Sequence, residues 1–203
     1  MMLHITTKDI QHTMAPRCLL VFLFCILSID GIAQSTSNDK KNRHWVFYGG
    51  VGPNFYFNNL VLAKDQVNAL NYSVVGRIMW EPEHRLSIGF ESGYNRLYTI
   101  HTSDVHIINS SVPIQFVISM KFLKSFYGNF SYGRSILVNK VSSTSYGNFD
   151  ATAVSLADVT LTVGYKRMLN DRISLGTELK FFYASKANDQ NLALVFIGSY
   201  RLR

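Results

Sequence analysis

The stretch Ser111–Phe122, SVPIQFVISMKF, alternates with a period of two. Val112, Ile114, Phe116, Ile118, Met120 and Phe122 fall on one side, and Ser111, Pro113, Gln115, Val117, Ser119 and Lys121 on the other. Successive side chains of a strand point to opposite faces, so this spacing predicts a strand with one apolar and one mostly polar face. A helix of 3.6 residues per turn would scatter the six apolar residues around its circumference.

The same division recurs along the chain. In 72–80, Tyr72, Val74, Gly76, Ile78 and Trp80 oppose Ser73 and Arg77. In 85–98, Leu86, Ile88, Phe90, Tyr94 and Tyr98 oppose Arg85, Ser87, Glu91 and Asn95. Ile173, Leu175, Leu179, Phe181 and Tyr183 form the apolar face of 173–184, and Leu192, Leu194, Phe196, Gly198, Tyr200 and Leu202 that of 192–202. Segments 126–138 (Phe126, Phe130, Tyr132) and 153–165 (Val159, Leu161, Val163, Tyr165) repeat the pattern. The opening segment, 45–57, is apolar on both faces, so periodicity leaves its register open. Eight strands and no helical period describe an all-β chain. Each strand is longer than the roughly 5–6 residues usual in soluble sheets and suits the roughly 9–11 that a tilted strand needs to cross a bilayer.

Connections alternate in length. Short ones follow Trp80, Phe122 and Met168, and long ones cover 58–71, 100–110, 139–152 and 185–191. Short turns at one end and long polar links at the other are the layout of an outer-membrane barrel, with the short turns on the periplasmic side. Period two does not say which face points inward, but side-chain chemistry does. Arg77, Arg85, Glu91, Lys121, Asp158, Lys166, Glu178, Lys180 and Arg201 lie on the polar faces among small residues, as a lumen charge network of both signs requires. Tyr72, Trp80, Tyr94, Tyr98, Phe122, Tyr165, Tyr183 and Tyr200 lie near strand ends, where two interfacial girdles belong. The expectation is an eight-stranded antiparallel up-and-down transmembrane β-barrel over 44–203. The alternative is a secreted soluble eight-stranded barrel with its apolar face inside and an apolar ligand there.

Residues 17–29, RCLLVFLFCILSI, are an apolar run behind one positive charge, and Gly31 and Ala33 supply the small residues of a cleavage site before Gln34. This describes a secretory signal peptide over 1–33, and the run is too short to span a membrane as a helix. Met14 is the expected start, leaving 1–13 as an upstream extension, and 34–43 reads as a periplasmic tail. Both cysteines, Cys18 and Cys25, leave with the signal, which excludes disulfides and thiolate sites afterwards. Composition agrees: 47% hydrophobic, 16% charged, 11 Tyr and 14 Phe do not suit a disordered chain or an ordinary cytosolic enzyme. The leader holds two basic and two acidic residues, leaving 18 Lys and Arg against 11 Asp and Glu. These are dispersed, with Lys40-Lys41-Asn42-Arg43 the one run, so nucleic acid is not an expected partner.

The signal ending in Ile32-Ala33-Gln34, the strand opening Ser111-Val112-Pro113-Ile114 and eight strands in about 170 residues resemble the PorT-like outer-membrane β-barrel family of Bacteroidota. The resemblance spans 34–203 and rests on texture more than on fixed motifs. It implies an integral protein of the bacterial outer membrane, inserted by the barrel assembly machinery and surrounded by outer-membrane lipid, without a shared activity.

Chemical constellations are sparse. His101-Thr102-Ser103 has the His–Ser spacing of lipid A deacylases, in which the His serves as base to the Ser. Asp104 stands where that pattern has Asn, and no Glu sits at a matching distance. His101, Asp104 and His106 offer three borderline metal ligands in what reads as a loop. His44 and His84 read as residues of the periplasmic rim, and Gly49-Gly50-Val51-Gly52 lies within a strand without the helix a phosphate loop needs. The reading assigns no catalytic residue, cofactor or metal. It leaves a structural, adhesive or envelope-accessory role, with an envelope protein as partner through the loops or the tail.

Overall fold

The computed structural model describes residues 44–57, 67–82, 85–145, 147–186 and 188–202. The signal, the tail and the Lys40–Arg43 run lie outside the described residues, as do His84 and most of the 58–71 link. The strands are β1 (His44–Tyr56), β2 (Val67–Asn68), β3 (Leu70–Glu81), β4 (Leu86–His101), β5 (Val105–Lys121), β6 (Phe126–Ser143), β7 (Gly147–Met168), β8 (Ile173–Ala184) and β9 (Asp189–Arg201). β2 is a two-residue bridge onto β4. The other eight form a closed antiparallel up-and-down barrel: each pairs with the next, and β1 pairs with both β3 and β9. Closure leaves no unpaired edge, the condition for strands to stand in hydrocarbon.

The register can be followed from one directly opposed partner to the next. From Trp45 the path runs through Trp80, Ile88, Ile118, Phe130, Leu161, Phe181 and Leu192. It returns to β1 at Phe55, ten residues above its start. That stagger is the shear that closure demands of tilted strands. Every residue on the path is apolar, so one continuous spiral of side chains covers the outside.

Burial decides the facing. Ile114 is 58% exposed, whereas the next residue, Gln115, is 1% exposed, and Phe116 and Ile118 stand out on either side of buried Val117. Apolar residues face out and charged ones in, which overturns the soluble-barrel alternative: the interior holds Arg77, Glu91 and Glu178 where an apolar ligand would have to sit. An apolar belt of this extent is stable against lipid and not against water. In β1 the register left open by the pattern places Trp45, Phe47, Val51 and Phe55 outside and Val46, Tyr48, Asn54 and Tyr56 inside.

Two expectations need correction. The links 100–110 and 139–152 are not loops. Pairing continues to His101↔His106 in one hairpin and to Ser143↔Gly147 in the other. Here the strands have left the membrane and no longer need an apolar face, so their two-faced pattern ends while β-branched residues such as Ile107, Ile108, Val138 and Val141 sustain pairing. The last long link also shortens, since β9 begins at Asp189. The second correction is Tyr98. Leu97 is an extra residue at a bulge between Arg96 and Tyr98, and past it the faces change. Tyr98 therefore packs on Tyr56, ring centres 4.9 Å apart, beside buried Leu97, and does not join the outer girdle.

Phe196 stands at mid-height of the apolar belt, 58% exposed. Phe196→Arg is expected to lower folding free energy in vesicles by about 2–4 kcal/mol, as read from denaturant titration, with Phe196→Leu well below that.

Candidate functional site: the lumen and the outer hairpins

The inward faces meet in three layers. At the end that carries the short turns, Glu81 of β3 accepts from Lys121 Nζ of β5 at 2.8 Å and from Lys166 Nζ of β7 at 3.0 Å. Tyr48 of β1 donates its hydroxyl to Glu81 and accepts from Lys166.

The central layer is built on Arg77. Its Nε donates to Glu91 Oε2 at 2.7 Å, and Nη1 and Nη2 donate to the two oxygens of Glu178 at 2.7 and 3.0 Å. Glu91 lies on the adjacent strand and Glu178 across the lumen on β8, so one guanidinium ties neighbouring and opposite walls together. Only a planar fork of donors can do this, because an ammonium group offers no bidentate geometry. Lys180 donates to the second oxygen of Glu91, and Tyr127 donates to Glu178 Oε1 at 2.6 Å. Two cations and two carboxylates thus cancel in a layer where each residue is no more than 9% exposed. Tyr127 fits because Gly164 faces it: a Cβ there would lie 2.3 Å from the ring's Cζ.

Toward the outer hairpins, Thr160 donates to Gln115 Oε1 at 2.7 Å and Tyr56 donates to Asp189 Oδ1 at 2.6 Å. Tyr56, Leu97, Leu137, Phe182 and Ala184 form an apolar cluster above them. A cavity left between the central and upper layers, lined by Ser73, Glu91, Asn95, Thr160 and Lys180 among others, measures about 10 Å³. That is room for about one water molecule.

Of the charges expected in the lumen, the structure brings Arg77, Glu91, Glu178 and Lys180 into one cluster and Lys121 and Lys166 into another around Glu81. Asp158 is fully buried but is held by the Ser155 hydroxyl and, at 3.0 Å, the Ser185 N–H instead of a cation. Arg201 is half-buried at the last residue of β9. Arg85 is a correction: it is exposed, ahead of the first residue of β4, and its carbonyl accepts from the Lys121 N–H at 2.9 Å. The alternation in 85–98 extends one residue beyond the strand. Glu81, Tyr48 and Tyr127 escaped the sequence reading. Glu81 continues the inward series Ser73, Val75, Arg77, Met79, so extending that alternation by one step would have found it.

At the outer end, Ser103 sits in the turn between β4 and β5, and no hydrogen bond joins it to His101 among the described residues. Nor does any group of three or more His, Cys, Asp or Glu suited to a metal occur among them, so Asp104 does not complete a set with the two histidines. His101 and His106 themselves are directly opposed, with ring centres 5.2 Å apart and planes at 80°. Gly49-Gly50-Val51-Gly52 is part of β1.

No protein-family model matches the chain, and no curated protein matches it in sequence. Solved structures do match in shape. A major outer membrane protein from Thermus thermophilus superimposes with a TM-score of 0.59 at 11% identity, over 79% of this chain and 99% of that one. Ail, the attachment invasion locus protein of Yersinia pestis, solved in complex with the heparin analogue sucrose octasulfate, gives 0.56 at 8% identity, over 79% and 99%. The fold is that of a small outer-membrane β-barrel. At these identities the likeness concerns backbone architecture, and the lumen chemistry above belongs to this chain.

Removing one partner of a buried ion pair strands the others, which costs about 3–5 kcal/mol. Arg77→Ala is expected to lose stability of that order in detergent denaturation, leaving Glu178 without a cation and Glu91 with Lys180 alone. Arg77→Met combined with Glu178→Gln, which keeps the Lys180–Glu91 pair intact, is expected to recover most of it.

Proposed function

We propose that this chain is an integral outer-membrane protein with a sealed lumen, whose structural, adhesive or envelope-accessory role is carried by its protruding hairpins, without catalysis. The observation that carries the reading is a contrast between the two ends of the strands. Inside the membrane-spanning part, paired charges and close-packed side chains fill the lumen, which leaves little for a pore or a ligand pocket. Beyond it, β4 to β7 continue as two paired hairpins, and β7 alone runs to 22 residues. That much ordered backbone outside the bilayer is a surface for contact.

Ail, which shares the architecture, is an attachment protein and was solved with a heparin analogue. The adhesive form of the reading takes its direction from there. Export by a cleaved signal, insertion by the barrel assembly machinery, a PorT-like origin and an envelope partner at the hairpins or the tail belong to the same proposal. Hydrolysis of lipid A is disfavoured because His101 is not hydrogen-bonded to Ser103.

Three measurements test this. In planar bilayers the purified protein is expected to give no steady conductance, and a stable open channel would contradict the sealed lumen. After cell fractionation it is expected in the detergent-soluble envelope fraction with heat-modifiable migration, and recovery in the soluble fraction without detergent would contradict membrane integration. Release of acyl chains from lipid A, abolished by Ser103→Ala, would overturn the non-catalytic reading.

A further inference from the structure

We propose that His101 and His106 form a two-imidazole site for a borderline divalent transition ion, Zn²⁺ being the representative, at the tip of the β4–β5 hairpin. The spacing H-x₄-H gives no such site in a flexible loop, because ordering two free rings around one ion would cost most of the gain. The strand extension changes this.

The turn closes with the Thr102 N–H donating to the Val105 carbonyl at 2.9 Å. The next pair inward, His101↔His106, is therefore a non-hydrogen-bonded pair, the kind whose side chains approach most closely on a shared face. Their ring centres are 5.2 Å apart. Two imidazoles sharing one tetrahedral Zn²⁺ at the usual Zn–N distance of about 2.0–2.1 Å place their ring centres about 5 Å apart. The backbone already holds the rings at the separation that chelation needs.

The scaffold at the tip is tied down as well. His106 is paired on its other side with Ser142, and Val105 with Ser143. The Thr144 N–H of the neighbouring hairpin donates to the Asp104 carbonyl at 3.2 Å, joining the two tips. Imidazole is a preferred ligand of Zn²⁺ and Cu²⁺, whereas Ca²⁺ and Mg²⁺ take oxygen donors, so the pair selects transition ions. Two protein ligands leave the remaining positions to water or to an oxygen donor of a bound partner. Without an ion, the two histidines opposed across the strands contribute an aromatic contact. The inference requires only the hairpin geometry and stands apart from any adhesive role.

The test is calorimetric titration of the tag-free, detergent-solubilised protein with ZnCl₂. One saturable site is expected, weakened about tenfold or more by His101→Ala or by His106→Ala and unchanged by His44→Ala or His84→Ala. Uptake that does not saturate, or a site that survives both tip substitutions, would overturn the proposal. Wild-type protein supplies an independent check that needs no variant to fold: Zn²⁺ is expected to protect both His101 and His106 from acylation by diethyl pyrocarbonate. Equal modification with and without the ion counts against the site.

Discussion

A guanidinium clamped between two carboxylates in the middle of a closed barrel is the contact on which the rest of this structure depends. Once the outer face of every strand is given to lipid, the polar residues of the opposite face have nowhere to go but the lumen. Eight strands enclose a space that side chains nearly fill, so charges there are stripped of water and must neutralise one another. Arg77 does this for Glu91 and Glu178 at once, and Lys180 and Tyr127 satisfy the oxygens that remain. Such a cluster is not a source of net stability, because desolvation offsets most of the attraction. Its effect is selectivity: Glu91 and Glu178 meet Arg77 only when β3, β4 and β8 hold their observed registers.

The same requirement explains the outside. A one-residue slip of any strand would exchange its two faces, turning charge to lipid and apolar side chains to the lumen. The apolar spiral from Trp45 to Phe55 and the charge cluster are two consequences of one registration.

Much of this was legible in the sequence, for a physical reason. Where one face meets hydrocarbon and the other a polar lumen, alternation has to be strict, and Ser111–Phe122 displays it without exception on the apolar side. Legibility fails where the constraint lapses. Above the membrane neither face is obliged to be apolar, so the ends of β4 to β7 lost their period and read as loops although they are paired. It fails again at Leu97, since a bulge exchanges faces without leaving a mark in composition. Tyr48 and Tyr127 were hidden by their type: an aromatic ring suits lipid, and only the third dimension shows a hydroxyl aimed at Glu81 or Glu178. Arg77, Glu91, Glu178 and Lys180 were identifiable as inward residues, but which of them meet depends on the shear of the closed sheet.

The central claim is that lipid touches the apolar face of β5 and not its polar face. The chain's own cysteines, Cys18 and Cys25, both precede residue 34, so in a chain beginning there an added cysteine is a unique handle. Phe116→Cys and Gln115→Cys, each carrying an environment-sensitive fluorophore, should be compared in vesicles containing brominated lipid. The account predicts strong quenching at position 116 and little at 115; the reverse would show the barrel to be inside out.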